Sequence, residues 1–275
     1  MDAPSNETAD AFADWRRVSQ RVITDAGITA SHGPKIIGIS GSQGSGKSTL
    51  ADILTQQLNG LGIPAQAVSL DDFYLTQSDR SVLASTVHPL LRTRGVPGTH
   101  DVDWLQQVLT GTKAGKGQGL LPRFDKAADD RAGQHPLSCQ VLVLEGWCLG
   151  VQSQGEAALL EPINDLERDM DQQGIWRRWV NLQIQTRYEP LWSDIDYWLC
   201  LQPPGFAQVL QWRRQQEDQL AQAQRMDEQS LRRFIEHYER LTRWQWACGP
   251  RGPGLHIRLD ASHRVERIAS VADSP

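Results

Sequence analysis

One stretch restricts the folds open to this chain more than any other. The apolar run Ile36-Ile37-Gly38-Ile39 leads into Ser40-Gly41-Ser42-Gln43-Gly44-Ser45-Gly46-Lys47-Ser48-Thr49, and Leu50, Ile53, Leu54 and Leu58 follow at helical spacing. Between Gly41 and Ser48 stands the pattern G-x-x-x-x-G-K-S. A buried strand brings the backbone to a sheet edge, where Gly41, Gly44 and Gly46 let it wrap with its N–H groups pointing inward. The helix opening near Lys47 adds free N–H groups and the positive end of its dipole. Lys47 then reaches the β- and γ-phosphates of a nucleotide, and the Ser48 hydroxyl ligates Mg²⁺. A glycine-rich turn with an incidental lysine would satisfy the bare pattern, but not the strand before it and the apolar helical stripe after it. The candidate ATP-binding residues are Gly41, Ser42, Gln43, Gly44, Ser45, Gly46, Lys47, Ser48 and Thr49.

The 275 residues, 39% hydrophobic and 22% charged, suit an α/β domain with room for insertions. The formal net charge of -5 argues against a general nucleic-acid binder, so an anion site must be built locally. Cys139, Cys148, Cys200 and Cys248 are scattered without a C-x-x-C, as expected of reduced, buried thiols in a cytosolic protein. No apolar run approaches membrane-spanning length, and the N-terminus, with Asp2 and Glu7, lacks a basic-then-apolar signal pattern. The expected setting is cytoplasmic, with no membrane partner. No pattern fixes the oligomeric state.

In chain order, residues 1–8 read as a polar tail. Phe12, Trp15, Val18 and Val22 fall on one face of an amphipathic helix, which ends before the Ser31-His32-Gly33-Pro34 break. This divides the chain into residues 1–33 and a phosphate-loop domain over 34–275, with an insertion at about 151–190 and a lid at about 206–226. A strand over 65–70 ends in Asp71-Asp72-Phe73-Tyr74. Strand, helix, strand in this order implies a right-handed crossover and a parallel sheet, whose ligands sit at the carboxyl ends of the strands. Asp71 therefore shares a rim with the phosphate loop. An Asp after a strand is often only a cap or an Asx-turn. Two adjacent acids followed by aromatics beside a phosphate site favour catalysis.

Arg92 to Asp101 reads as a polar, partly basic loop leading into a helix, for which Asp101 or Asp103 could be the N-cap. His100 fits an ordinary surface histidine as well as a site residue. Residues 111–119 read as a surface turn. Arg123, Asp125, Lys126 and Arg131 form either a solvated loop or a substrate-facing arm. Val141-Leu142-Val143-Leu144 reads as a central strand ending in Glu145, the usual second anchor for hydrated Mg²⁺ after the loop serine. Residues 156–188 read as helical, 194–201 as a strand, 206–224 and 227–244 as helices, 255–259 as a late strand and 264–271 as a short helix. The ten tryptophans read as packing residues.

The ordered set S-L-D-D-F-Y-L-T (residues 69–76), Arg94-Gly95 through Gly98-Thr99-His100-Asp101, Pro122-Arg123-Phe124-Asp125-Lys126, Asp130-Arg131, Glu145-Gly146-Trp147-Cys148-Leu149-Gly150 and Trp212-Arg213 resembles the phosphoribulokinase, uridine kinase and pantothenate kinase group. Within that group it looks most like the plant-type D-glycerate 3-kinase family. The resemblance implies a three-layer α/β fold with a mainly parallel central sheet and a helical lid. It implies Asp71 as general base, with Lys47 and Arg213 completing the catalytic set and Arg213 on the lid. It places His100, Asp101, Asp125 and Lys126 at the acceptor, D-glycerate. The further acceptor candidates are Asp72 and Tyr74, beside Asp71, and the basic Arg94, Arg123 and Arg131, which suit a carboxylate, while Ser48 and Glu145 are the candidates for Mg²⁺. The chain departs from the family in the glycine-free segment Ala127-Ala128-Asp129-Asp130-Arg131 and in Phe124, where tyrosine is common. The alternatives are a kinase of the same group acting on pantothenate, a nucleoside or a sugar-derived alcohol, and a nucleotide-binding regulatory ATPase. A GTPase is disfavoured, because Thr112-Lys113-Ala114-Gly115 lacks the acid of an N-K-x-D clamp.

Overall fold

The computed structural model describes residues 6–31, 33–116, 118–218 and 225–271. Its strands are β1 (Lys35–Gly41), β2 (Ala65–Ser69), β3 (Gln118–Asp125), β4 (Asp130–Ser138), β5 (Val141–Gly146), β6 (Tyr197–Gln202), β7 (Gly254–Leu259) and β8 (Val265–Ser270). The helices are α1 (Asn6–Asp25), α2 (Lys47–Gly60), α3 (Gln77–Thr86), α4 (Val102–Lys113), α5 (Asp165–Met170), α6 (Ile175–Gln183), α7 (Glu189–Trp192), α8 (Phe206–Asp218) and α9 (Glu228–Cys248).

The central sheet has the order β2-β5-β1-β6-β7-β8. All its pairs are parallel except β7–β8, which is antiparallel. Side chains alternate across a strand, so each strand feeds two cores. Ile36, Leu142, Leu144 and Trp198 pack on one face with Leu105 of α4, Val180 of α6 and Tyr238 of α9. Ile37, Ile39, Val141, Val143 and Leu199 pack on the other with Leu50 and Leu54 of α2 and with Trp15, Val18 and Val22 of α1. The result is the expected three-layer α/β sandwich. Because both faces are covered, β1 and β5 read as mostly apolar runs rather than as alternating ones. Gly38 interrupts the run for a packing reason: a Cβ there would stand 2.7 Å from the ring of the fully buried Trp198.

Register decides what reaches the rim. Ser40 pairs with Gly146, Ile39 with Glu145, and Ser69 with Glu145, so β1, β5 and β2 end level with one another. A short 3-10 turn, Leu70–Phe73, carries the chain off β2 beside them.

Several expectations need correction. Within residues 264–271, Val265–Ser270 form β8 rather than a helix, and their apolar positions Val265 and Ile268 pack against the core beside β7. Residues 118–138 form the hairpin β3–β4, whose backbone groups satisfy one another, not a solvated loop. The helical reading over 156–188 holds only in pieces, broken at Gly174, which takes a positive φ of 69°. The tail is shorter than expected, since α1 begins at Asn6. Residues 1–5 and His32 lie outside the described residues. Cys248 is exposed and Cys139 half-buried, leaving Cys148 and Cys200 as the buried thiols. Among the described residues, no helix is long and apolar enough to cross a membrane. The tryptophans do pack: Trp198, Trp212, Trp15 and Trp176 are buried.

Candidate active site

A cleft of about 800 Å³ opens over the carboxyl ends of β1, β5 and β2. Its floor is the phosphate loop. Gly44 (φ 76°) and Gly46 (φ 88°) take left-handed conformations that turn the backbone around an enclosed space. Gly46 caps α2 without a side-chain acceptor, so the first N–H groups of the helix are left for an anion. The buried Ser42 and Ser45 hydroxyls have no hydrogen-bond partner, as suits a cradle built for added acceptors. Lys47 donates from Nζ to the Ser42 carbonyl at 2.9 Å. Burial lowers its pKa, while Glu145 and Asp71 pull it back up. Ser48 donates to Glu145 Oε1 at 2.9 Å, which joins a hydroxyl and a carboxylate, two hard oxygen donors of the kind Mg²⁺ takes alongside phosphate and water. The residues present therefore fit a magnesium–nucleotide phosphate chain.

Asp71 stands on the opposite wall. Its Oδ1 accepts from the Tyr74 hydroxyl at 2.7 Å and its Oδ2 from Lys126 Nζ at 2.6 Å. Its side chain keeps 26% of its surface open and lines the cleft. Burial pushes its pKa up, but Lys126 and the Tyr74 hydrogen bond outweigh that and hold it below the ordinary carboxylate value. Lys126 itself is 62% exposed, and an ion pair so open contributes only about 0–1 kcal/mol. Arg94 lines the cleft next to Lys126, donating to its carbonyl and pairing with Asp129. Trp147 and Tyr238 close this end, ring centroids 4.8 Å apart. Trp147 Nε1 donates to Gly95 O, and Tyr238 OH donates to Arg94 O.

The other acceptor-site candidates take different places. Asp72 faces away from the main cleft and accepts from Phe124 N at 3.2 Å, tying the hairpin to the turn; burial raises its pKa. His100 is 3% exposed, stacked on Tyr74 at 4.7 Å and bonded to the Tyr188 hydroxyl at 2.8 Å. Burial lowers its pKa to about 4, so it is a neutral wall behind Tyr74. Asp101 caps α4 through Trp104 N and pairs with Arg131 at 2.8 Å. Arg131 donates to the Tyr74 carbonyl and lies over the Trp104 ring. Asp125 closes the hairpin turn on Ala127 N and Ala128 N. Arg123 is exposed on β3. Among the sequence candidates for the acceptor, Tyr74, Arg94 and Lys126 line the main cleft, whereas Asp72, His100, Asp101, Arg123, Asp125 and Arg131 do not.

The hairpin is fixed from beneath. Asp129 takes φ 55°, the left-handed value for which glycine is usual and which Asp tolerates. Its carboxylate lies between Arg94 and the buried Arg80, and Arg80 also donates to the Leu75, Arg92 and Asp129 carbonyls. This is the physical form of the glycine-free departure seen in the sequence. On the other side of the cleft, Arg213 of α8 lies over Phe234 at 5.3 Å and pairs with Glu217. Residues 219–224 of the expected lid lie outside the described residues. Sequence reasoning missed Phe12, Trp15, Trp212, Phe234, Tyr238 and His263 as cleft residues. His263 bonds to Gly44 O at 2.7 Å and stacks on Trp212 at 4.1 Å. It comes from the β7–β8 turn, 219 positions from Gly44, and no local pattern marks it.

A nucleotide-phosphate cradle facing a carboxylate across one cleft, on this sheet order, is the construction of a phosphate-loop kinase. The chain matches the phosphoribulokinase/uridine kinase family over residues 36–171. It is 33% identical over 220 residues to the uncharacterized kinase mug58 of Schizosaccharomyces pombe, an alignment spanning 74% of this chain and 78% of that one. It is 29% identical over 242 residues to the chloroplastic D-glycerate 3-kinase of Arabidopsis thaliana, spanning 80% of this chain and 50% of that one. The structure of D-glycerate 3-kinase from Cryptococcus neoformans superposes with a TM-score of 0.76 at 26% identity, covering 98% of this chain and 100% of that chain. The chain belongs to the phosphoribulokinase/uridine kinase family, whose members are ATP-dependent kinases.

Proposed function

We propose that this protein transfers the γ-phosphoryl group of ATP to the 3-hydroxyl of D-glycerate. The observation that carries the reading is the Asp71–Lys126 pair, 2.6 Å apart, facing the phosphate loop across one cleft. It sets a base for a hydroxyl beside a cation for a carboxylate, and D-glycerate carries both groups on a three-carbon frame. The relatives named as D-glycerate 3-kinases support the choice of acid.

Bound ATP supplies the phosphoryl group and leaves as ADP; in such transfers the protein contributes mainly positioning and electrostatics. The phosphate-loop N–H groups, the start of α2 and Lys47 hold the phosphate chain, and Ser48 with Glu145 would hold Mg²⁺. Lys126 and Arg94 grip the acceptor carboxylate. Asp71 takes the 3-hydroxyl proton as that oxygen bonds to phosphorus and the bond to the β–γ bridging oxygen breaks. Arg213 sits on the helix expected to close over the site and exclude water. Saturable, ATP-dependent formation of 3-phosphoglycerate by the purified protein is the expected result. Formation of 2-phosphoglycerate would move the point of transfer. Turnover of pantothenate or a nucleoside with no reaction on glycerate would reassign the acceptor.

A further inference from the structure

We infer that Lys126 is a guard on Asp71, released only when an acceptor carboxylate takes the lysine away, so that the enzyme tests for an acid through the availability of its base. This rests on the glycerate reading above. Both oxygens of Asp71 are engaged, Oδ1 by Tyr74 and Oδ2 by Lys126. Tyr74 belongs to the same short segment, is buried, and is stacked on His100, so it stays. Lys126 differs in each respect. It comes from the β3–β4 turn, its side chain is 62% exposed, and Asp71 is its side-chain partner among the described residues.

The turn backbone is anchored by Asp129 between Arg80 and Arg94 and by Phe124 N on Asp72. The flexible four-carbon stem of Lys126 can therefore swing without moving the hairpin. Arg94, already committed to Asp129, is the fixed cation beside it. A carboxylate entering between them offers Lys126 a second anion. One exposed ion pair replaces another at little net cost, and an Asp71 oxygen opens toward the hydroxyl to be deprotonated. Asp71 then accepts that proton, the hydroxyl oxygen bonds to the γ-phosphorus, and ADP leaves with the electrons of the broken bridging bond. A neutral alcohol brings no carboxylate to draw Lys126 off, so Lys126 stays on Oδ2 and Asp71 remains the weaker base.

The test compares D-glycerate with its neutral methyl ester as acceptors for the wild type, Lys126→Met and the double variant Lys126→Met/Asp71→Asn, with thermal melting to check that each is folded. The guard predicts that Lys126→Met loses kcat/KM on D-glycerate yet turns over the ester about three- to fivefold faster than the wild type, the factor that loss of one exposed pair allows. The double variant should lose the ester gain, because the gain runs through Asp71. If Lys126 only binds substrate, the ester rate is unchanged in Lys126→Met; if it stabilises developing charge, the ester rate falls. Either result overturns the guard while leaving the glycerate reading intact. A wild type inert toward D-glycerate but active on another acceptor removes the reading and the guard with it.

Discussion

The two ends of the cleft are built on opposite principles. The phosphate end comes from consecutive residues, Gly41 to Thr49, and works mostly through backbone N–H groups and a helix terminus. The acceptor end draws Asp71 and Tyr74 from the turn after β2, Arg94 from a loop, Lys126 from a hairpin, Trp147 from the end of β5 and Tyr238 from α9. Phosphate groups are alike in every nucleotide, so a local backbone cradle suffices. An acceptor is defined by the spacing of its groups, and only side chains brought from several elements can read that spacing. Change at the acceptor end thus leaves the chemistry at the phosphate end intact.

The most direct way to break this division is at the base. Asp71→Asn should leave ATP affinity unchanged while turnover falls about 10²–10⁴-fold, the range for losing a general base. Equal loss of ATP binding, measured by calorimetry, would show the two ends to be one unit. If Asp72→Asn shows that pattern and Asp71→Asn does not, the base is the other acid of the pair. Lys47→Ala attacks the opposite end. Turnover should fall about 10²–10³-fold, as for loss of one preorganised donor, with all acceptors affected alike. Wild-type-like turnover in this variant would end the kinase assignment of the loop.

Smaller effects sharpen the comparison. Burial keeps His100 neutral in the fold, with a pKa of about 4 against an ordinary 6.5. Its contribution to stability is fully present above pH 6.5 and is lost as pH falls toward 4, because the unfolded chain takes up the proton first. That loss reaches about 3 kcal/mol by linkage. Urea unfolding at pH 7 and pH 4.5 should show it, and His100→Gln should flatten this part of the curve. Last, Asp129→Ala removes the carboxylate between Arg80 and Arg94 from a left-handed position. We expect a loss of about 1–3 kcal/mol in stability and a higher KM for the acceptor than for ATP. A larger effect on the ATP KM would contradict the hairpin's assignment to the acceptor end.

The legibility of the sequence follows the same line. The phosphate loop, the strand before it and the acidic ends of β2 and β5 were readable because each is a local pattern with one physical cause. The resemblance added the order of the remaining motifs but gave every polar residue in them the same standing. Asp101, Asp125 and Arg131 stand in those motifs, yet they cap a helix, close a turn and brace Tyr74. Residues 264–271 looked helical because alternation over so short a segment is weak, and their partner strand lies across a turn.

The amino-acid sequence alone determined that a parallel sheet presents a nucleotide-phosphate cradle with Asp71 and Glu145 on its rim. Strand period, glycine conformation and helix start act over a few residues and need no distant partner. The tertiary structure alone decided that Lys126 meets Asp71 55 positions away, that His100 is walled in behind Tyr74, and that His263 reaches back to Gly44. Such contacts depend on the register of β5 between β1 and β2 and on the docking of a hairpin. These are set by packing and by charge pairing across the whole chain, which no local pattern records.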